Sequence, residues 1–162
     1  MFDKKDTPRA LLSVLDRLID HRPDQAVEAT PTAAQALEAL RDAVRRDIEW
    51  LMNARERCRG WPASLDYIDE SVVGYGLPDF SITSLQGGNW RNNVCRQIEG
   101  TIRHFEPRLS NVRVTLAEDG DRADRSARFR IDALLQADPA PEPVSYDSTV
   151  EPTTRRVAVV SR

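Results

Sequence analysis

Apolar residues recur along this chain first with a helical period and then with the period of a strand. Leu37, Leu40, Val44, Ile48 and Leu51 are separated by three, four, four and three positions. Those steps draw one apolar stripe on a helix that opens at Thr32, with Glu38, Arg41, Arg45, Arg46 and Glu49 mostly off it. The stripe spans less than three heptads, which favours packing on the chain's own sheet over a coiled coil. A second helix follows the polar stretch Ser84 to Asn89, with Val94, Ile98, Ile102 and Phe105 along its buried face. Pro107 closes it, because proline disfavours helical angles in the residue before it.

Shorter helical segments accompany these two. Thr7 can cap a helix that Pro8 begins, and Leu11, Leu15, Leu18 and Ile19 give it an apolar side to about Asp20. Residues 22–32 form a polar connector with prolines at 23 and 31. Asn53 to Ser64 reads as a charged loop, and Leu65 to Val73 as a further helical turn or two. Gly74-Tyr75-Gly76-Leu77-Pro78-Asp79 ends that segment, its glycines permitting backbone angles that other residues resist.

After Pro107 the period falls to two. Val112, Val114 and Leu116 alternate with Arg113 and Thr115; Phe129, Ile131 and Ala133 alternate with Arg128, Arg130 and Asp132. These are two half-buried strands of a hairpin around the turn signal Asp119-Gly120-Asp121, in a loop that runs to Ser126. A proline-rich extended stretch, Asp138 to Pro143, leads to a third alternation at Val144, Tyr146 and Ser148. The apolar run Val157 to Val160 makes a last strand. Helices first and an antiparallel sheet afterwards give the α+β class. The expected division is an N-terminal helix and connector over 1–31 and one domain over 32–162.

Composition narrows the function by exclusion. The 162 residues are 40% hydrophobic and 30% charged, ordinary for one globular domain, and the net charge of -3 exerts no overall pull on nucleic acid. Lysine occurs only at Lys4 and Lys5, so arginine supplies nearly all the positive charge. No secretory signal and no run of about 20 apolar residues is visible, so a bacterial cytoplasmic address is expected. Cys58 and Cys95 are expected to be reduced thiols that pack. His21 and His104 lack partners at ligand spacing, so neither a metal nor a cofactor is expected. Gly87-Gly88 lacks the lysine and frame of a phosphate-binding loop. Carboxylates for a two-acid glycosidase exist in Glu70, Asp79 and Glu106, but nothing in the pattern sets them across a cleft.

One tetrapeptide stands out, Glu106-Pro107-Arg108-Leu109. In an extended chain Glu106 and Arg108 project to one side, and Pro107 and Leu109 to the other. An acid and an arginine then share a rigid corner that Leu109 anchors in the core.

Six blocks in order resemble the TssE family of type VI secretion baseplate subunits, itself similar to the lysozyme-related wedge protein of contractile phage tails. They are 11–18, 46–55, 71–79, 102–109, 128–133 and 144–148, and Ile102-Arg103-His104-Phe105-Glu106-Pro107-Arg108-Leu109 is the most specific. Ser145 and Met52 depart from the family's usual bulky apolar residue and leucine. The resemblance implies a non-enzymatic wedge subunit, at a baseplate on the inner membrane when assembled. It implies that Glu106, Pro107, Arg108 and Leu109 dock on the helical bundle of the TssF and TssG subunits. It also implies that a sheet edge accepts the first contractile sheath proteins by strand addition. Val157, Ala158, Val159 and Val160 are the expected edge, since an apolar terminal strand left open is a pairing template. Two other readings are a peptidoglycan-cleaving enzyme and a free-standing adaptor or chaperone that binds a partner helix through the Leu37 to Leu51 stripe.

Overall fold

The stripe around Val44 forms a 21-residue helix, α2 (Ala33–Asn53), preceded by a short α1 (Val14–Leu18). A computed structural model describes residues 12–19, 23–24, 31–56, 67–68, 71–78, 90–117, 127–138, 140–150 and 156–162. Thr32 caps α2 in a reciprocal box with Gln35: the Gln35 amide N–H donates to the Thr32 hydroxyl, and the Thr32 N–H donates to the Gln35 side chain. Leu40, Val44, Ile48 and Leu51 are buried, as their spacing predicts. Burying each such side chain contributes roughly 1.5–3 kcal/mol. A stripe covered in this way is not free to take a partner helix.

The second predicted helix is α3 (Trp90–Phe105), with Val94, Ile98 and Ile102 buried and Phe105 partly so. Four strands follow: β1 (Leu109–Leu116), β2 (Ala127–Leu135), β3 (Glu142–Val150) and β4 (Val157–Ser161). They form one antiparallel sheet in the order β1-β2-β3-β4. The α+β arrangement is therefore as expected. Two helices lie on one face of the sheet, α3 beside β1 and α2 beside β4. The other face carries polar pairs such as Arg130–Asp147, and Ser145 donates there to Asp132 at 2.7 Å. Ser145 thus contributes a cross-strand hydrogen bond on the polar face.

Tyr146 sits at the centre, fully buried, its hydroxyl donating to the Arg41 carbonyl at 3.4 Å. Burial pushes its phenol pKa up to about 12. Pro143 is accommodated inside β3 because β4 begins pairing only at Tyr146. Its missing N–H faces the side of β3 on which no strand lies at that level.

Three expectations change in detail. Helix α1 is five residues long and starts at a Ser13 cap, with no buried residue; Thr7 and Pro8 lie outside the described residues. Leu18 is 76% exposed, so the apolar side of α1 is not core. Of 65–73, only 67–68 and 71–73 are described; there Ser71 N–H donates to Ile68 O and Gly74 N–H to Ser71 O, single-turn bonds with no continuous helix among the described residues. Asp119-Gly120-Asp121 lies outside the described residues.

Gly76 has φ +129°, and a Cβ there would stand 2.7 Å from the Ala54 carbonyl carbon. The close approach lets Leu77 N–H reach Ala54 O and Glu56 N–H reach Leu77 O, tying this turn to the end of α2. Gly76→Ala is expected to cost about 2–3 kcal/mol through strain and backbone overlap. A urea midpoint equal to that of the parent would show that the turn can move aside.

Candidate functional site

Helix α3 ends where Pro107 requires. The Glu106 N–H still donates to Ile102 O at 2.8 Å, and Leu109 N–H donates to Glu106 O at 3.1 Å, so residues 106–109 form a tight turn. Leu109 is buried and starts β1. The turn is pinned from the far side by Gln136 N–H, which donates to Arg108 O at 2.8 Å.

Within it the two charged side chains grip each other. Arg108 Nε donates to Glu106 Oε1 at 2.6 Å and Nη2 donates to Oε2 at 2.5 Å, a two-pronged pair. Arg108 Nη2 also reaches Asp47 Oδ2 of α2 at 2.5 Å. Asp47 is 3.4 Å from Arg46, and Arg46 bonds Asp16 of α1. Glu106, Arg108, Asp47, Arg46 and Asp16 are thus a chain of alternating charge that joins α1, α2 and the corner.

The pair is not displayed on the surface, as an extended chain would have it. Glu106 is only 4% exposed, and the Arg108 side chain 16%. The alternation of an extended strand does not apply inside a turn, and here the turn folds the acid inward under the guanidinium. Burial opposes the charge on Arg108, but hydrogen bonds and attraction from Glu106 and Asp47 outweigh it and raise its pKa. It stays charged at any physiological pH.

A cavity of about 290 Å³ opens over this chain of charges, bounded by Ser13, Asp47, Tyr75, Phe105 and Glu106. Tyr75 meets Phe105 edge-on at 5.3 Å. Burial first, then the nearby Asp47 and Glu106, push the Tyr75 phenol above its usual pKa. Arg108 Nη1 is buried with no hydrogen-bond partner among the described residues. Nearby on α2, Arg46 lies 5.0 Å over the ring of Trp50, which is half exposed. The corner therefore holds a fixed, largely buried charge pair beside exposed apolar side chains on α1 and α2. That combination suits a protein partner.

At Asp16, burial raises the carboxyl pKa, but the Ser13 hydroxyl and the Arg46 guanidinium outweigh it and hold it below the usual range. A depressed carboxylate stabilises the fold above its unfolded pKa and loses that contribution as pH falls through the folded value. The hold on α1 is therefore complete at neutral pH.

The residues Val157, Ala158, Val159 and Val160 are the edge strand β4. Its outward groups at Val157 are both taken: Val157 N–H donates to Asn53 Oδ1 at 2.9 Å and Val157 O accepts from Asn53 Nδ2 at 2.8 Å. Val159 O accepts from Arg45 at 3.1 Å. Asn53, Arg45, Asp47 and Asp16 were not singled out by periodicity. They lie off the apolar positions of α1 and α2, as most surface residues do, though Asp16, Asp47 and Asn53 fall within the blocks 11–18 and 46–55 that carry the resemblance.

Other candidates divide plainly. Both Glu106 oxygens are engaged by Arg108, while Glu70, Asp79, His21 and Cys58 lie outside the described residues. His104 is exposed and packs edge-on against Phe105 at 4.6 Å. No three His, Cys, Asp or Glu side chains converge as metal ligands among the described residues.

A family model described as "Baseplate wedge protein gp25" matches residues 38–140, taking in most of α2, all of α3, the corner, β1 and β2. No curated protein and no solved structure matches the chain.

Proposed function

This chain belongs to the baseplate wedge protein gp25 family, and on that footing we propose that it is a TssE-type subunit of a type VI secretion baseplate. The family role is structural, within a contractile, phage-tail-like baseplate. In the proposed role, the corner Glu106-Pro107-Arg108-Leu109 docks on the helical bundle of TssF and TssG. A sheet edge then starts the sheath by accepting a strand from the first sheath subunit.

The observation that carries the docking half is the corner itself. Arg108 is held rigid by Glu106 and Asp47 and lines the cavity that Tyr75 and Phe105 also bound. A preorganised guanidinium loses little side-chain entropy on binding, so a partner that meets its exposed rim finds the corner already in place. Trp50, Val14 and Leu18 add exposed apolar area on the same two helices. No described helix is long and apolar enough to cross a membrane, so residence at the inner membrane would be through the assembled machine.

The test is affinity capture of the tagged full chain from cells that build the machine. TssF, TssG and sheath proteins are expected to come along together. Capture of the chain without any of them would overturn the proposal.

A further inference from the structure

The sheet has two outer strands, and the edge facing α3 differs from the edge facing α2. Ala117 N–H donates to Arg128 O, and Thr115 and Arg113 stand opposite Arg130 and Asp132. The backbone groups of Val114 and Leu116 therefore point away from β2, towards α3. Val114 N–H donates to the Glu99 carboxylate at 2.8 Å, and Val112 O accepts from Arg103 at 2.6 Å. The Cys95 sulfur stands beside the Leu116 backbone. Cys95, Glu99 and Arg103 thus occupy the place of a fifth strand.

The arithmetic of the two periods makes this possible. Four helical residues rise about 6.0 Å, and two strand residues advance about 6.7 Å. Side chains four apart on α3 therefore meet every second residue of β1, with the helix running opposite to the strand.

Beside this edge lies a cavity of about 860 Å³ between α3 and β1. Among the described residues four arginines line it, Arg91, Arg96, Arg103 and Arg113, with Glu99 as the one acid. In a chain whose net charge is -3, that is a local reversal of sign. The β4 edge is latched as well, by the Asn53 amide on both outward groups of Val157 and by Arg45 on Val159 O, so it is the arginine-lined cavity that sets the β1 edge apart.

We infer that β1 is the acceptor edge, latched shut in the free subunit by Glu99 and Arg103, and that its occupant is an acidic extended segment of the first sheath subunit. This rests on the strand-addition reading above and assigns it to β1 in place of Val157–Val160. The incoming strand supplies a carbonyl to Val114 N–H and an N–H to Val112 O, displacing the two latch side chains. Its acidic side chains meet the arginines that line the groove. The latch leaves no bare edge for wrong pairing before a sheath subunit arrives.

A photo-cross-linking residue placed at Thr115 or at Val160, both exposed, tests the assignment in the assembled complex. Sheath adducts are expected from position 115 and not from 160. Adducts from 160 alone would overturn the β1 assignment and leave the wedge role standing. Failure to capture sheath and wedge subunits at all would overturn both. With the purified chain, a synthetic peptide of alternating valine and glutamate is expected to shift the Val112, Val114 and Leu116 amide resonances. Its valine–lysine counterpart should bind at least tenfold more weakly. Glu99→Ala, which removes the competitor at Val114, should tighten the acidic peptide several-fold. Equal binding of the two peptides, or shifts confined to Val157–Ser161, would overturn the proposal.

Discussion

Arg108→Ala is expected to lower the thermal midpoint by about 10 °C and to abolish capture of TssF and TssG. The stability loss follows from what the substitution leaves behind. Glu106 is buried and takes both of its strong hydrogen bonds from Arg108. Removing one partner of such a pair strands the other charge, at about 3 kcal/mol. For a domain of this size each kcal/mol shifts the midpoint by about 2–4 °C. Because a weakened fold would also bind poorly, a second variant separates the two effects. Glu106→Gln combined with Arg108→Met removes both charges at similar volume and should regain most of the lost stability. It should still fail to capture the wedge partners. Capture by that double variant at the parental level would sink the docking role of the corner. Arg108→Lys should fall between, keeping a charge but losing the two-pronged grip on Glu106.

The second large effect is expected at Asn53. Asn53→Ala removes two hydrogen bonds from Val157, at about 2 kcal/mol together once the stranded backbone groups are included. It also opens the apolar edge of β4, so self-association that rises with concentration should appear. Hydrogen exchange at the Val157 amide and light scattering over a concentration series measure the two halves. An amide as protected as the parent's, in a protein that stays monomeric throughout, would show that the amide of Asn53 is dispensable. Asn53→Asp keeps an acceptor for Val157 N–H but sets a carboxylate against Val157 O, so it should rescue only part of the loss.

Local periodicity made the fold legible. The stripe from Leu40 to Leu51, the face from Val94 to Ile102 and the alternation through Val112 and Ile131 each depend only on near neighbours in sequence. Helix α1 shows where that reasoning stops. Leu15 and Leu18 have the right spacing, but spacing names an apolar face without saying whether anything covers it. At the corner, the identities of Glu106 and Arg108 were visible and their orientation was not. The alternation of a strand does not hold in residues that make a turn, and the second partner of Arg108, Asp47, lies 61 positions away. The edge contacts were hidden for the same reason: Asn53 finds Val157 across 104 positions, and no local pattern encodes that meeting.

The row of Cys95, Glu99 and Arg103 along β1 works as a vernier, two scales of slightly different pitch. The helix and the strand drift apart by about 0.7 Å at each coincidence, so a third contact is already displaced by about 1.4 Å. Hydrogen bonds tolerate only a few tenths of an ångström. Flexible side chains such as glutamate and arginine absorb the slip, because their reach exceeds it. The closure of this edge therefore rests on side chains that can swing away without disturbing the helix that carries them.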